Sequence, residues 1–87
     1  MNLSDLLPII RNYKINLETQ IALTENLGGV SAIQTSEIAG ATVATIADIL
    51  QRVIDKEIIA TESEDTELRE IYDNVLEMRE TFESRSI

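Results

Sequence analysis

Apolar side chains recur at steps of three and four residues along most of this chain, and that spacing restricts the fold more than any other feature. Residues three and four apart lie on the same side of an α-helix, so each such run predicts an amphipathic helix. The first run predicts a helix over about residues 4–27. Its apolar positions are Leu3, Leu6, Leu7, Ile10, Tyr13, Leu17, Ile21 and Leu27.

A proline and two glycines bear on the limits of this first helix. Ser4 and Asp5 are typical of a helix start, but Pro8 has no backbone N–H to donate inside a helix. Either the regular helix begins close to Pro8 or its first turn is kinked. Gly28-Gly29 ends the helix, because glycine adopts the left-handed conformation that closes many helices.

The second segment predicts a helix over about residues 31–59 that has aliphatic side chains on more than one side. Its apolar positions are Ile33, Ile38, Val43, Ile46, Ile49, Leu50, Val53, Ile54 and Ile58. This breadth indicates contact with two neighbours. Gly40 stands among Ala39, Ala41, Ala44 and Ala47, and it marks either a bend or a place where another helix approaches closely.

The third segment predicts a helix over about residues 62–84. Its start, Thr61-Glu62-Ser63-Glu64, matches the capping-box pattern. The apolar stripe that follows has the spacing of a heptad seam. Its members are Leu68, Ile71, Val75, Met78 and Phe82, with Tyr72 at the edge. The seam is either one wall of an intramolecular bundle or the contact between two copies.

These segments together predict an all-α fold: a small three-helix bundle, or a helical hairpin plus a third helix, in a single domain over residues 1–87. A chain of 87 residues has a small core and gains from a further source of stability. The chain has no Cys, so it cannot form a disulfide. We therefore expect oligomerisation to complete the fold.

The residue types that most enzymes and metal sites use are missing. The chain has neither His nor Cys, and it contains no glycine-rich phosphate loop. The acidic residues between Glu62 and Glu67 offer oxygen ligands, but they lack the central Gly and the terminal Glu of an EF-hand loop. Helix capping explains them. We expect no catalytic residue, cofactor, metal ion or small-molecule substrate.

One stretch of the second segment resembles a DNA-reading helix. TIADILQRVIDKEII, from Thr45 to Ile59, is similar to the recognition helix of winged and helix-turn-helix regulators, and residues 36–39 resemble the preceding helix. The resemblance implies a DNA-binding transcriptional regulator. Residues 40–44 alone must then supply the turn, with Asp48 at a base-reading position and Glu57 in place of the usual Gly.

Charge is unevenly placed along the chain. The formal net charge is −9, and residues 61–87 hold nine acidic and three basic residues, against seven and four in residues 1–60. An acidic body repels phosphate, which disfavours general binding to nucleic acid or anionic lipid. The acidic third helix is either a solvated face or a mimic of DNA that inhibits a nucleic-acid-binding protein.

The surplus of aliphatic faces on so short a chain favours a non-enzymatic, acidic interaction or assembly module. We expect the chain to pair with itself, or to dock on a larger protein, through the seam of the third helix. The interface would consist of Leu68, Ile71, Tyr72, Val75, Met78 and Phe82. The most apolar window, residues 30–50, contains Glu37 and Asp48 and does not predict a membrane span. No secretory signal is visible, so we expect a cytoplasmic protein.

Overall fold

Three α-helices make up the computed structural model, which describes residues 1–27 and 32–85. They are α1 (Leu3–Leu27), α2 (Ala32–Ile54) and α3 (Glu62–Arg85). Each helix packs against the other two, and no β-strand occurs within the described residues. The predicted all-α three-helix bundle is therefore confirmed.

The core contains one aliphatic stripe from each helix. Its buried side chains are Leu3, Leu7, Ile10 and Leu17 of α1, Ala39, Val43 and Ile46 of α2, Leu68, Ile71 and Val75 of α3, and Ile58 of the connection before α3. Burying one such aliphatic side chain stabilises a fold by about 1.5–3 kcal/mol. The resulting bundle is elongated, 41 Å long and 20 Å wide.

The start of α1 is held by backbone contacts with the connection between α2 and α3. The Leu3 N–H donates to the Ile59 carbonyl at 2.8 Å, and the Ile59 N–H donates to the Met1 carbonyl at 2.9 Å. The helix therefore begins at Leu3 and not close to Pro8, which is its sixth residue. The missing proline N–H leaves the Ser4 carbonyl without its helical hydrogen bond.

Gly40 lies inside α2, which is one continuous helix. A Cβ atom added at Gly40 would meet nothing within 4 Å, so no other helix of the chain approaches closely there. The close approach occurs instead at Ala39, whose side chain is fully buried. The predicted break at Gly28-Gly29, and the predicted start of the helix at Ser31, lie outside the described residues.

A Schellman turn ends α2 at Ile54, earlier than the predicted end at residue 59. The Lys56 N–H donates to the Val53 carbonyl at 3.1 Å, and the Glu57 N–H donates to the Arg52 carbonyl at 2.9 Å. These are the two hydrogen bonds of the motif. They require a left-handed residue, and Lys56 has a φ of 64°.

Replacing Lys56 by glycine should stabilise the protein. The left-handed conformation costs a residue with a Cβ atom about 1–2 kcal/mol, and glycine is largely free of this cost. After the greater entropy of glycine in the unfolded chain is subtracted, Lys56→Gly should raise the free energy of unfolding by about 0.5–1 kcal/mol, measured by denaturant titration. Lys56→Ala is the control and should give no such gain, because alanine keeps the Cβ atom. Equal gains from both variants would assign the effect to the lost charge.

The capping box predicted at the start of α3 is confirmed. The Thr61 N–H donates to Glu64 Oε1 at 2.9 Å, and the Glu64 N–H donates to Thr61 Oγ1 at 3.2 Å. Each bond satisfies a backbone donor that the helix itself cannot pair. The acidic side chain that follows, Asp65, pairs with Arg69 one turn later.

Two buried hydroxyl groups join α1 to α2 near the end of α1. Thr24 Oγ1 lies 2.6 Å from Thr35 Oγ1, and Thr24 also donates to the Gln20 carbonyl at 2.9 Å. A hydroxyl group has one hydrogen, so Thr35 is the donor between the two threonines. Thr35 is fully buried, and the bond therefore replaces hydration that it loses on folding.

The threonine pair can be tested with a double-mutant cycle. Thr24→Val should lower the free energy of unfolding by about 1–2 kcal/mol, because it leaves the buried Thr35 hydroxyl group without its acceptor. Thr35→Val should cost less, because the Thr24 hydroxyl group still donates to the Gln20 carbonyl. The double variant should lose clearly less than the sum of the two single losses, since no unpaired group is left. Additive losses would mean that the two hydroxyl groups do not interact.

Candidate functional site

The predicted seam of α3 lies against the core of its own chain. Four of its residues are buried: Leu68, Ile71, Val75 and Phe82. The other two, Tyr72 and Met78, are partly buried and pack against the core. The seam is thus a wall of the intramolecular bundle. A second copy would reach these side chains only if helices exchanged between subunits, and contact of that kind stays a prediction.

Neither a metal centre nor a membrane span is found among the described residues. No three carboxylates come together there as a cation site. None of the three helices is long and apolar enough to cross a bilayer. Every buried side-chain polar atom in this part of the chain has a hydrogen-bond partner.

The stretch that resembles a recognition helix has no turn before it. Residues 40–44, which would supply that turn, are helical, and Ser36 and Thr45 belong to the same helix α2. Ile46 is fully buried in the core. On the exposed side, Asp48 and Arg52 pair with each other at 3.1 Å. The local geometry is therefore one continuous packing helix, without the two-helix arrangement of the regulators.

A surface between α1 and α2 has an uncharged centre, and helical spacing places the Asp48–Arg52 ion pair of α2 at its edge. A shallow cavity of about 230 Å³ on it is lined by Tyr13, Asn16, Ile38, Ala41, Thr42 and Thr45. Helical spacing extends the α1 side of this surface by Ile9, Gln20 and Leu23, which lie on the same stripe as Tyr13 and Asn16. We call these nine residues the uncharged face.

Large apolar side chains are exposed on the uncharged face. Ile9 is 46% exposed, Tyr13 39% and Leu23 47%. On α2, Ala41 and Thr45 are exposed small residues. The stripe on α1 could have been found in the sequence, because its five positions follow helical spacing without a charge. The surface that this stripe forms together with α2 could not have been found in the sequence, because it depends on how the two helices pack.

A second surface is the groove between α1 and α3. Its wider part is a cavity of about 530 Å³, lined by Lys14, Glu18, Ile21, Ala22 and Glu25 of α1 and by Asn74, Glu77, Met78, Thr81 and Phe82 of α3. A cavity of about 360 Å³ continues it toward Arg11 and Glu67. The two cavities share Lys14, Glu18 and Asn74, and we call them together the acidic groove.

Carboxylates outnumber cations along the acidic groove. The acidic residues that line it are Glu18, Glu25, Glu67, Glu70 and Glu77, and the basic residues are Arg11 and Lys14. Both cations are already paired, because Arg11 binds Glu67 and the Lys14 ammonium lies 3.9 Å from Glu18. The groove therefore presents negative charge around an apolar floor.

No protein-family model matches this chain, and no curated protein or solved structure matches it significantly. Its function must therefore be inferred from the chemistry of its own surfaces. The uncharged face and the acidic groove are the two candidates.

The ion pair between Arg11 and Glu67 crosses the acidic groove. Arg11 Nε donates to Glu67 Oε2 at 2.6 Å, and a second guanidinium nitrogen donates to Oε1 at 2.8 Å. These hydrogen bonds, helped by the charge of Arg11, hold the pKa of Glu67 below its ordinary value despite some desolvation. The same hydrogen bonds raise the pKa of Arg11.

Loss of this ion pair should show as a dependence of stability on pH. Folding lowers the pKa of Glu67. The ion pair therefore stabilises the fold fully above the unfolded pKa of about 4.3, and this stabilisation is lost as the pH falls through the folded pKa. Glu67→Gln should therefore lower the melting temperature slightly at pH 7, and the difference should vanish in acid.

A neighbouring carboxylate provides the control for this titration. Glu70 forms no ion pair within the described residues. Glu70→Gln should leave the melting temperature at pH 7 unchanged or raise it, because it removes one negative charge from an acidic protein. A decrease at pH 7 as large as that of Glu67→Gln would show that the Arg11 pair is not the cause.

Proposed function

We propose that this chain is a non-enzymatic helical assembly module in which two copies pair through their uncharged faces. The observation that carries the proposal is the exposure of Ile9, Tyr13 and Leu23 on the uncharged face. Contiguous exposed apolar surface is typical of protein interaction sites. Tyrosine is also among the residues enriched in such interfaces.

Electrostatic repulsion restricts how two copies can approach. Each chain carries a net charge of −9. Nine acidic residues and three basic residues lie on α3, so contact through α3 would bring like charges together. Pairing through α1 and α2 keeps α3 of each copy on the outside. The uncharged face is therefore where two copies meet with the least repulsion.

The size and shape of the uncharged face also suit a pair. A long side of the bundle, 41 Å by 20 Å, has room for a standard interface, in which each partner buries on the order of 800 Å². The small side chains of Ala41 and Thr45 let a facing helix come close. Burial of Ile9, Tyr13 and Leu23 would then supply the apolar contribution.

A second candidate function is favoured by the charge of α3. In it, the acidic helix occupies the nucleic-acid-binding surface of another protein, as a DNA mimic would. Reversal of charge at Glu70, Asp73 and Glu77 would abolish such binding. The same change would leave pairing of the uncharged faces intact, so the two candidates can be separated.

Self-association can be tested with two matched threonine variants. The wild-type chain should have a mass of about twice 9.7 kDa in size-exclusion chromatography with light scattering. Thr45→Glu should shift the mass to that of a monomer, because it would bury a carboxylate in the interface. Thr66→Glu adds the same charge at an exposed position of α3 and should leave the pair intact. A monomeric wild type at about 1 mM, with a cooperative helical melt, would refute the proposal.

Salt should strengthen this self-association. The contact itself contains no charge, whereas the two acidic bodies repel each other, so screening removes only the repulsion. The dissociation constant should therefore fall when NaCl is raised from about 0.05 M to 0.5 M, as followed by sedimentation equilibrium. Weaker association at high salt would indicate a contact made of ion pairs instead.

A further inference from the structure

We propose that the acidic groove binds a cationic amphipathic helix of another protein. The groove lies between α1 and α3, whereas the proposed pairing uses α1 and α2, so the two surfaces work independently. Three properties of the groove carry the inference: its length, its apolar floor and its charge.

The length of the groove fits a helix better than a compact ligand. Its lining runs along α1 from Arg11 to Glu25, which at 1.5 Å per residue is about 21 Å. A partner helix of about fourteen residues has the same length. Helices that bind in this way lay an apolar stripe into the groove of the receiving protein.

The floor of the groove offers apolar contacts of the kind such a stripe needs. Ile21 and Met78 are half-buried and line the wider cavity together with Phe82. Met adapts its shape to different partners. Ile15 lines the narrower cavity and remains 59% exposed, so the apolar surface continues along the groove.

The charge of the groove selects a basic partner. Five carboxylates and two cations line it, which leaves an excess of three negative charges. Glu70 and Glu77 stand on the exposed side of α3, one at each cavity. Lys or Arg side chains that flank an apolar stripe would meet these carboxylates, whereas an acidic helix would be repelled.

A model peptide tests the proposal directly. The probe is a fluorescein-labelled peptide of about fourteen residues, with leucine and lysine at helical spacing, and its binding to the full chain is followed by fluorescence anisotropy. Glu70→Lys/Glu77→Lys should weaken binding at least tenfold. Asp73→Lys/Glu80→Lys makes the same change of net charge on α3 at exposed positions outside the groove, and it should weaken binding no more than about twofold. Equal losses would show attraction by net charge alone and would overturn the proposal.

A steric variant tests the apolar part without changing the charge. Ala22 is exposed and lines the wider cavity, so Ala22→Trp should fill the groove while the core stays intact. Binding of the leucine–lysine peptide should fall at least tenfold, with an unchanged helical melt as the check on folding. Unchanged affinity would place the peptide elsewhere and refute the groove as its site. Absence of any binding by the wild-type chain would do the same.

Further controls separate this proposal from the others. The same peptide with glutamate in place of lysine should not bind. Thr45→Glu should abolish pairing of two copies and leave peptide binding unchanged. If both lysine double variants weaken peptide binding equally and Ala22→Trp does not change it, the result would support a role of α3 as a mimic of nucleic acid. It would overturn the proposal that the acidic groove is the binding site.

Discussion

The burial of one aliphatic stripe on a strongly acidic helix is the constraint on which the rest of this bundle depends. Leu68 and Val75 of α3 are fully buried, although the helix holds nine acidic residues. The acids are therefore restricted to the remaining sides, where Asp65 pairs with Arg69 and Glu83 with Arg79 along the helix. Arg11 and Glu67 form an ion pair between α1 and α3, and it lies at the surface. Apolar burial, and not ion pairing, thus holds the three helices together.

The concentration of acidic residues on α3 gives the molecule two unlike long sides. The groove beside α3 is lined by carboxylates, whereas the residues that line the cavity between α1 and α2 include none. The uncharged face is therefore suited to contact with a second acidic copy, and the acidic groove is suited to a basic partner. Neither property needs a catalytic group or a bound ion.

The sequence predicts the parts of the fold that are encoded locally. The helical spacing and the capping box at Thr61 depend on neighbours within a few residues, and both are confirmed. The predicted end of α2 lies beyond the observed one because the apolar spacing continues to Ile58. The residue in the left-handed conformation is a lysine, Lys56, and not the glycine that usually indicates the end of a helix. Spacing alone also left open whether the α3 seam faces its own chain or another. That choice depends on tertiary packing.

The sequence pattern of a single helix predicts neither candidate surface, and the physical reason is the same for both. Each is a strip where two helices adjoin, so its lining alternates between distant parts of the sequence. The carboxylates of the groove are visible in the sequence only as part of a generally acidic segment. Their position around Met78 and Phe82 appears once α1 and α3 pack together.

The hydrogen bonds of Met1 and Leu3 with Ile59 join the start of α1 to the connection between α2 and α3 at one end of the bundle. Because Ile59 both donates to Met1 and accepts from Leu3, the first turn of α1 cannot separate without releasing the connection before α3. The buried side chains of Leu3 and Ile58 would be exposed in the same event. Fraying, which at most helix ends is a local event, here also involves the connection between α2 and α3.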